Sequence, residues 1–262
     1  MFSLLGLKVA GSFSTEALLL GCLSGFLLAC TNAISNITNQ VHDRDIDLQT
    51  LHKKNRPIPS GEVSVDEALS IVVVLTIIVL GLAWYFFPHF YGILLSIILM
   101  FSWMYNSPPL RLKARFFWSN LSIAAPRGGL GIVAAFSAFA SPFDSRVLIP
   151  ALAFGIYVFG VNTLKDYEDY EADRKMGVRN FCTVLGKEKA SALIVPFLGL
   201  PYVVFAFGLY PFIFLTVPIG AVMVYILCRY PRLEGRGLWM WRLFYLHFAL
   251  MMVTYVLPFL LA

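Results

Sequence analysis

Asn39, Asp43 and Asp47 recur every four residues in the stretch Asn39-Gln-Val-His-Asp43-Arg-Asp45-Ile-Asp47. A helix running through it stacks the three on one face. Two carboxylates and an amide at that spacing suit a hard divalent cation, which takes oxygen ligands. A second stretch, Lys165-Asp166-Tyr-Glu168-Asp169-Tyr-Glu171-Ala-Asp173, repeats the device. Asp169 and Asp173 keep the four-residue spacing, and Asp166 precedes them by three. The two stretches hold eight of the chain's 15 carboxylates, and each ends a long apolar segment. Two such helix ends facing one cavity would hold Mg²⁺ ions that grip a diphosphate. The diphosphate then leaves readily, because the charge growing on its oxygens is neutralised. For one motif alone a solvated, charged helix end is the better reading. Two copies on the same side of a membrane reverse that preference.

Cations stand near both stretches. Lys54 and Arg56 lie in the proline-stiffened loop His52-Lys-Lys-Asn-Arg-Pro-Ile-Pro-Ser-Gly61 and are candidate phosphate contacts, whereas Lys53 reads as ordinary loop charge. In Tyr105-Asn-Ser-Pro-Pro-Leu-Arg111-Leu-Lys113, Arg111 and Lys113 are candidate diphosphate contacts, and Lys113 joins the carboxylates as a catalytic candidate. Tyr105 is a candidate hydrogen-bond partner at the rim, and Lys165 is counted with the substrate-binding residues. His42 adjoins the first motif on another helical face. Arg127 differs from all of these, because it lies inside an apolar segment, flanked by Pro126, Gly128 and Gly129. Such an arginine costs at least about 2.5–3.5 kcal/mol unless it faces a polar cavity or a partner. The reading is a cavity-lining arginine on an irregular helix, with a purely structural pairing as the alternative.

The elements that must position these residues are membrane helices. The chain has 262 residues, 59% hydrophobic and 13% charged, with a mean hydropathy of +0.76. Soluble domains run near 45–50% apolar and about 25% charged. The apolar runs are continuous, which excludes the period-two alternation of a membrane barrel. The net charge of +5 sits in short loops and argues against a nucleic-acid partner. Cys22, Cys30, Cys182 and Cys228 form no CxxC pair, so neither a disulfide framework nor a zinc site is expected. No signal-peptide cleavage pattern opens the chain, and its early apolar residues read as structure.

Spans of about 20 apolar residues are expected near 2–14, 16–38, 66–87, 89–105, 116–140, 146–164, 188–209, 211–229 and 240–261. The fold class is therefore an all-α integral membrane protein of about nine transmembrane helices. Its first helix is short and carries Lys8, and residues 1–262 are read as one polytopic domain. The loops after even-numbered spans hold 17 of the 20 basic residues, among them Arg44, Arg115, Arg174, Arg232 and Arg236. That bias makes those loops cytoplasmic and puts both acidic stretches on the cytoplasmic side of the cell membrane. Four spans separate the stretches, and Asn162 precedes Asp166 as Asn39 precedes Asp43, which suggests an internal repeat.

With the first motif, Arg56-Pro-Ile-Pro-Ser-Gly61, the Tyr105-to-Lys113 loop and the second motif present in order, the chain resembles the UbiA-type intramembrane prenyltransferases over essentially its whole length. The resemblance implies helices around a central cavity, Mg²⁺ dependence, and transfer of a polyprenyl group from its diphosphate to a lipophilic acceptor. Carried over, Asn39, Asp43 and Asp47 match the family's first motif. Asp169 and Asp173 match its second, with Asp166 beside them, and Tyr105 and Lys113 match the loop that touches diphosphate. Gln40 departs from the family, standing where many members have Asp, and so does the short first helix. The wording is most like the branch of archaeal digeranylgeranylglyceryl phosphate synthases and chlorophyll synthases.

The expected reaction is ionisation of an allylic diphosphate such as geranylgeranyl diphosphate, followed by attack of an acceptor on the carbocation and release of pyrophosphate. A lipid alcohol such as geranylgeranylglyceryl phosphate is the first acceptor considered, and an aromatic acceptor of quinone or chlorophyll-type biosynthesis the second. From another class, a cation or phosphate-ester transporter would use the acidic pairs as ion sites. Transporter sites usually lie near the midplane at broken helices, whereas these motifs sit at one boundary.

Overall fold

A computed structural model describes residues 1–49, 53–229 and 237–262. His52, Arg232, Gly235 and Arg236 of the expected loops lie outside the described residues. All regular elements among the described residues are helical. Helix α1 (Phe2–Ala10) stops at Gly11, whose φ of 67° is the left-handed conformation that ends many helices. Helix α2 (Thr15–His42) starts where the Ser14 hydroxyl accepts from the Ala17 amide. Two short helices follow, α3 (Arg44–Gln49) and α4 (Pro57–Ser60). Helix α5 (Val65–Phe86) opens on a capping box between Ser64 and Glu67. Next come α6 (His89–Asn106), α7 (Phe116–Ala124), a π-helical turn (Ala125–Leu130) and α8 (Gly131–Ser137). Helix α9 (Ser145–Val161) tightens into a 3-10 turn (Asn162–Tyr167), followed by α10 (Tyr170–Lys175) and α11 (Phe181–Leu185). The chain ends with α12 (Lys187–Phe207), a 3-10 turn (Pro211–Thr216), α13 (Val217–Arg229) and α14 (Gly237–Leu261).

Seven helical runs among the described residues are long and apolar enough to cross a membrane. Two of the expected spans take another form. Helix α1 has nine residues, about 13 Å of helix, against about 30 Å of hydrocarbon. The expected span at 116–140 is α7, the π turn and α8 in unbroken succession. Pro126 has no N–H to give to the preceding turn, and a π segment is a common way to absorb such a break.

The π turn also lets the chain pass close to α9. A Cβ on Gly128 would stand 2.6 Å from the Phe154 carbonyl oxygen and 2.8 Å from Gly155 Cα. Backbone on both sides leaves no flexible side chain to give way. Gly128→Ala is expected to cost about 1–3 kcal/mol by overpacking and to lower the melting temperature of the detergent-solubilised protein. An unchanged melting temperature would show that the two elements have slack.

Helix α9 is the axis of the larger core, where Val147, Ala153, Phe154, Tyr157 and Val161 are buried against Ile194 and Leu198 of α12 and Met251 of α14. A second core joins Leu27 of α2, Val79 and Ala83 of α5, Tyr91 and Leu95 of α6 and Ala134 of α8. Burial of polar groups in this apolar setting requires partners. The His247 ring accordingly bonds the Tyr157 hydroxyl at 2.8 Å through Nδ1 and the Tyr202 hydroxyl at 2.8 Å through Nε2. That chain ties α14 to α9 and α12.

Candidate active site

The first motif does not lie on one continuous helix. Helix α2 ends at Asp43, with φ −103° and ψ 8°, and α3 restarts at Arg44. The one-turn spacing survives the break, because the Asp43 amide donates to the Asn39 carbonyl at 2.9 Å and the Asp47 amide to the Asp43 carbonyl at 2.7 Å. Asn39, Asp43 and Asp47 therefore face the same chamber, while Asp45 is exposed and off its wall.

The second motif also departs from the expected ladder. Asp166 sits on the 3-10 turn and is buried, whereas Asp169 immediately precedes α10 and Asp173 lies within it. A 3-10 turn winds tighter than an α-helix, so Asp166 is set apart from the helical pair. All three line the chamber, as does Glu168. Asp173 accepts a hydrogen bond from Asn180 Nδ2 at 2.8 Å. Asn180 in turn caps α11, its Oδ1 accepting from the Thr183 amide at 2.8 Å. The Asn180-x-x-Thr183 cap was a readable signal, though sequence reasoning passed over Asn180.

The chamber has a volume of about 320 Å³, and cations are set between its carboxylates. Lys113 is ion-paired with Asp43 and donates to Asn39 Oδ1 at 3.3 Å. Arg111 Nη2 also reaches Asp43, at 3.3 Å. Arg111 has φ 36° and ψ 58°, a left-handed position that costs a non-glycine residue about 1–3 kcal/mol. That turn brings Arg111 and Lys113 back onto one carboxylate. Arg56 Nη1 bonds Asp47 Oδ2 at 3.0 Å. Lys165 donates to the Tyr105 hydroxyl at 2.6 Å and stands 3.9 Å from Asp166. The structure exchanges two neighbours relative to the sequence reading. Lys54 is exposed and absent from the chamber wall, and Lys53 instead bonds both Asp169 oxygens at 2.6 Å. Periodicity gives no guide in a loop that reverses around two prolines. His42 meets Ser107 Oγ at 2.9 Å and lies off the chamber wall.

Burial raises the Asp173 carboxyl to about 6, with Asp169 adding to the effect. It also raises Asp47 despite the nearby Lys53 and Arg56. Burial lowers the Lys113 ammonium, and Asp43 opposes that shift. Among the described residues no three carboxylates converge on a single point. The donor set still fits a hard divalent cation. It consists of oxygens alone, and the buried Asp166 Oδ2 has no hydrogen-bond partner.

A second cavity of about 610 Å³ shares Asn39, Tyr105 and Lys165 with the chamber. Along α2 its wall runs from Asn39 through Asn36, Asn32 and Leu28 to Gly25, about 21 Å of helix at 1.5 Å per residue. The stripe passes from amides near the chamber to apolar residues farther along, where Phe2, Ile132, Phe248 and Met252 also line the cavity. Arg127 lines this cavity and not the upper chamber.

The profile of the UbiA prenyltransferase family matches residues 1–260. The chain belongs to this family. Among similar proteins, the bacteriochlorophyll synthase 33 kDa chain of Cereibacter sphaeroides is 32% identical over 178 residues, covering 67% of this chain and 57% of that protein. The digeranylgeranylglyceryl phosphate synthase of Saccharolobus solfataricus is 27% identical over 168 residues, covering 64% of this chain and 57% of the synthase. The chain thus spans little more than half the length of these curated relatives. A UbiA homologue from Archaeoglobus fulgidus, solved with DMAPP and Mg²⁺, superposes with a TM-score of 0.64 at 19% identity over 97% of this chain and 93% of that one. This UbiA member therefore shares the homologue's helical membrane fold.

Proposed function

We propose that this UbiA-family protein is a multi-pass membrane prenyltransferase, with residues 1–262 acting as one domain. It transfers a polyprenyl group from its diphosphate to a lipophilic acceptor and releases pyrophosphate. The observation that carries this reading is the polar chamber lined by both acidic stretches, which shares Asn39, Tyr105 and Lys165 with a larger cavity whose far wall is mainly apolar. A diphosphate suits the first and an isoprenoid tail the second.

In this reading Asn39, Asp43 and Asp47 hold divalent cations with Asp166, Asp169 and Asp173. Mg²⁺, when bound, supplies charge neutralisation to the leaving diphosphate. Lys113, held against Asp43 and Asn39, places a further positive charge where the oxygens develop theirs. Arg56, Arg111 and Lys53 reach the chamber from its flanking loops. Tyr105 fixes Lys165 at the junction of the two cavities, close to where the allylic bond breaks. Arg127 orients the acceptor from below. Geranylgeranyl diphosphate is the first donor to test. The acceptor is a lipid alcohol such as geranylgeranylglyceryl phosphate, or an aromatic or pigment acceptor as the names of the synthase relatives suggest.

Purified protein in detergent should release pyrophosphate from geranylgeranyl diphosphate with Mg²⁺ and not with EDTA. Saturable ion flux in liposomes, with the diphosphate left intact, would support a transporter instead. The basic loops support a chamber at the cytoplasmic face. A cysteine introduced at Gly61 should then label from the cytoplasm and one at Ser145 from outside. Labelling of both from one side would overturn that topology.

Metal affinity should depend on pH with a definite sign. Asp173 keeps its proton up to about pH 6, so below that pH a divalent cation bound there must displace a proton. Affinity for Mn²⁺, read by electron paramagnetic resonance, should fall by up to about tenfold per pH unit as the pH drops below 6. A flat profile between pH 5 and 7 would remove Asp173 from the metal site.

A further inference from the structure

The chamber's aspartates do not share one kind of partner. Asp43 pairs with Lys113 and Arg111, Asp47 with Arg56, Asp166 with Lys165 and Asp169 with Lys53. Asp173 has no ion pair among the described residues. Its Oδ2 accepts from the neutral Asn180 Nδ2 at 2.8 Å, and its Oδ1 has no hydrogen bond among them. A cation reaching Asp173 therefore displaces no lysine or arginine from it. Asn180 is 1% exposed and is itself held at both ends. Its Oδ1 accepts from the Thr183 amide at 2.8 Å, and its own amide donates to Thr183 Oγ1 at 2.9 Å. Turning the side-chain amide over would set two donors against each other and an oxygen against a carboxylate, so the network fixes which atom faces Asp173. Thr183 Oγ1 also donates to the Val178 carbonyl at 2.7 Å, and the Val178 amide donates to the Asp173 carbonyl at 2.9 Å. Gly177, at φ 69°, allows the reversal between α10 and α11. The loop thus closes on itself around Asp173.

We propose that Asn180 is a positioning residue that holds Asp173 as a one-oxygen ligand, and that the chamber thereby selects Mg²⁺ over Ca²⁺. This rests on the prenyltransferase reading, in which Asp173 is one of the carboxylates that hold cations. With Oδ2 engaged by a fixed amide, Asp173 offers Oδ1. Swinging the carboxyl group so that both oxygens meet one cation would break the bond to Asn180 and leave a buried donor unmade, which is costly. Mg²⁺ demands near-octahedral ligands, into which a two-oxygen carboxylate fits poorly, whereas Ca²⁺ takes about six to eight oxygens and accepts two from one carboxylate. A ligand locked to one oxygen therefore favours the smaller ion. Asn180 acts through Asp173 and needs no contact with either substrate.

Asn180→Ser separates the two jobs of this side chain. Serine is also a good helix cap and keeps an acceptor for the Thr183 amide, but it is too short to reach Asp173. Full-length protein in detergent, without prenyl donor or acceptor, is titrated with Mn²⁺ by electron paramagnetic resonance, with Mg²⁺ and Ca²⁺ as competitors. Asn180→Ser should melt within a few degrees of wild type and bind Mn²⁺ and Mg²⁺ about tenfold more weakly, as loss of a ligand's supporting partner does. Ca²⁺ should lose less, so the ratio of Ca²⁺ to Mg²⁺ affinity should rise by about two- to tenfold, the contribution of one hydrogen bond. Asn180→Asp, of the same size and also a good cap, loses the donor by another route and should move the ratio in the same direction. Thr183→Val removes the hydroxyl contacts of the loop and leaves the Asn180–Asp173 bond. It should lower the melting temperature and keep the wild-type ratio. In an Asp173→Ala background, Asn180→Ser should change neither cation's affinity further.

A wild-type ratio in either folded Asn180 variant would overturn the proposal. So would an equal change of ratio in Thr183→Val, which would assign the effect to the docking of the loop. A further change on adding Asn180→Ser to Asp173→Ala would overturn it too, because Asn180 would then act by a route other than Asp173. If wild type binds Mn²⁺ no better than Asp173→Ala, Asp173 is no ligand and the proposal falls. Pyrophosphate release from geranylgeranyl diphosphate in the same preparation then separates the two readings. Release that requires Mg²⁺ spares the prenyltransferase reading, and no release sinks both.

Discussion

Asp43→Ala and Asp173→Ala each reduce pyrophosphate release from a prenyl diphosphate to background, a loss of at least about 100-fold, and both variants remain folded. Each carboxylate lines the chamber from a different motif, and loss of either removes one of the six side chains proposed to hold the cations. Their surroundings predict different structural side effects. Asp43 is the partner of both Lys113 and Arg111, and its removal leaves the Lys113 ammonium buried with only the Asn39 carbonyl oxygen near. Burial already lowers the affinity of Lys113 for its proton, so the variant can shed that charge instead of unfolding. Asp173 accepts only from Asn180 in the described contacts, and burial already disfavours its charged form. Asp173→Ala should therefore melt within a few degrees of wild type. Asp45→Ala is the control, since Asp45 is exposed and off the chamber wall. Pyrophosphate release and melting temperature on all three variants decide the matter. If Asp45→Ala is as inactive as Asp43→Ala, the face assignment of the first motif fails.

Much of this was legible in the sequence because membrane helices and clustered carboxylates leave strong marks. Long apolar runs recover the seven helices among the described residues that are long and apolar enough to cross, and the four-residue spacing placed Asn39, Asp43, Asp47, Asp169 and Asp173 on one chamber despite helix breaks at Asp43 and before Asp169. Spacing survived the breaks because backbone hydrogen bonds carry the one-turn offset across them. Arg127 was legible for a related reason. A charge in an apolar run demands a cavity, and Pro126 beside it announced the irregular turn. Loop contacts were not legible. Lys53 and Lys54 are chemically identical neighbours, and which one meets Asp169 is set by how the chain reverses into α4. Asn180 was equally hidden, because its role depends on α11 docking beside α10. The internal echo of Asn39 in Asn162 proved uneven. Asn39 bonds Lys113 at the junction of both cavities, while Asn162 is buried on the deeper one alone.

Removing the Lys113 ammonium should strike the donor step alone. Lys113 is the most enclosed cation of the loop between α6 and α7, with 11% of its side chain exposed against 36% for Arg111. In so dry a position its charge acts at short range with little screening, and it is most valuable where negative charge increases along the reaction. Lys113→Met should lower kcat by about 100- to 1000-fold, as removal of a preorganised oxyanion contact does. The donor KM should rise as well, because the ground-state diphosphate also feels the lost charge. Lys113→Arg should recover only part of kcat, since the larger guanidinium must share the Asn39 and Asp43 oxygens with Arg111 in the same space. The acceptor KM should not move, because Lys113 does not line the deeper cavity. Single-turnover ionisation of labelled geranylgeranyl diphosphate, with kcat and both KM values on the same preparations, separates the outcomes. A raised donor KM with unchanged kcat would mean that Lys113 binds the ground state and transition state equally, and that charge on the leaving group is stabilised elsewhere. A raised acceptor KM would mean that Lys113 acts on the acceptor as well as on the donor diphosphate.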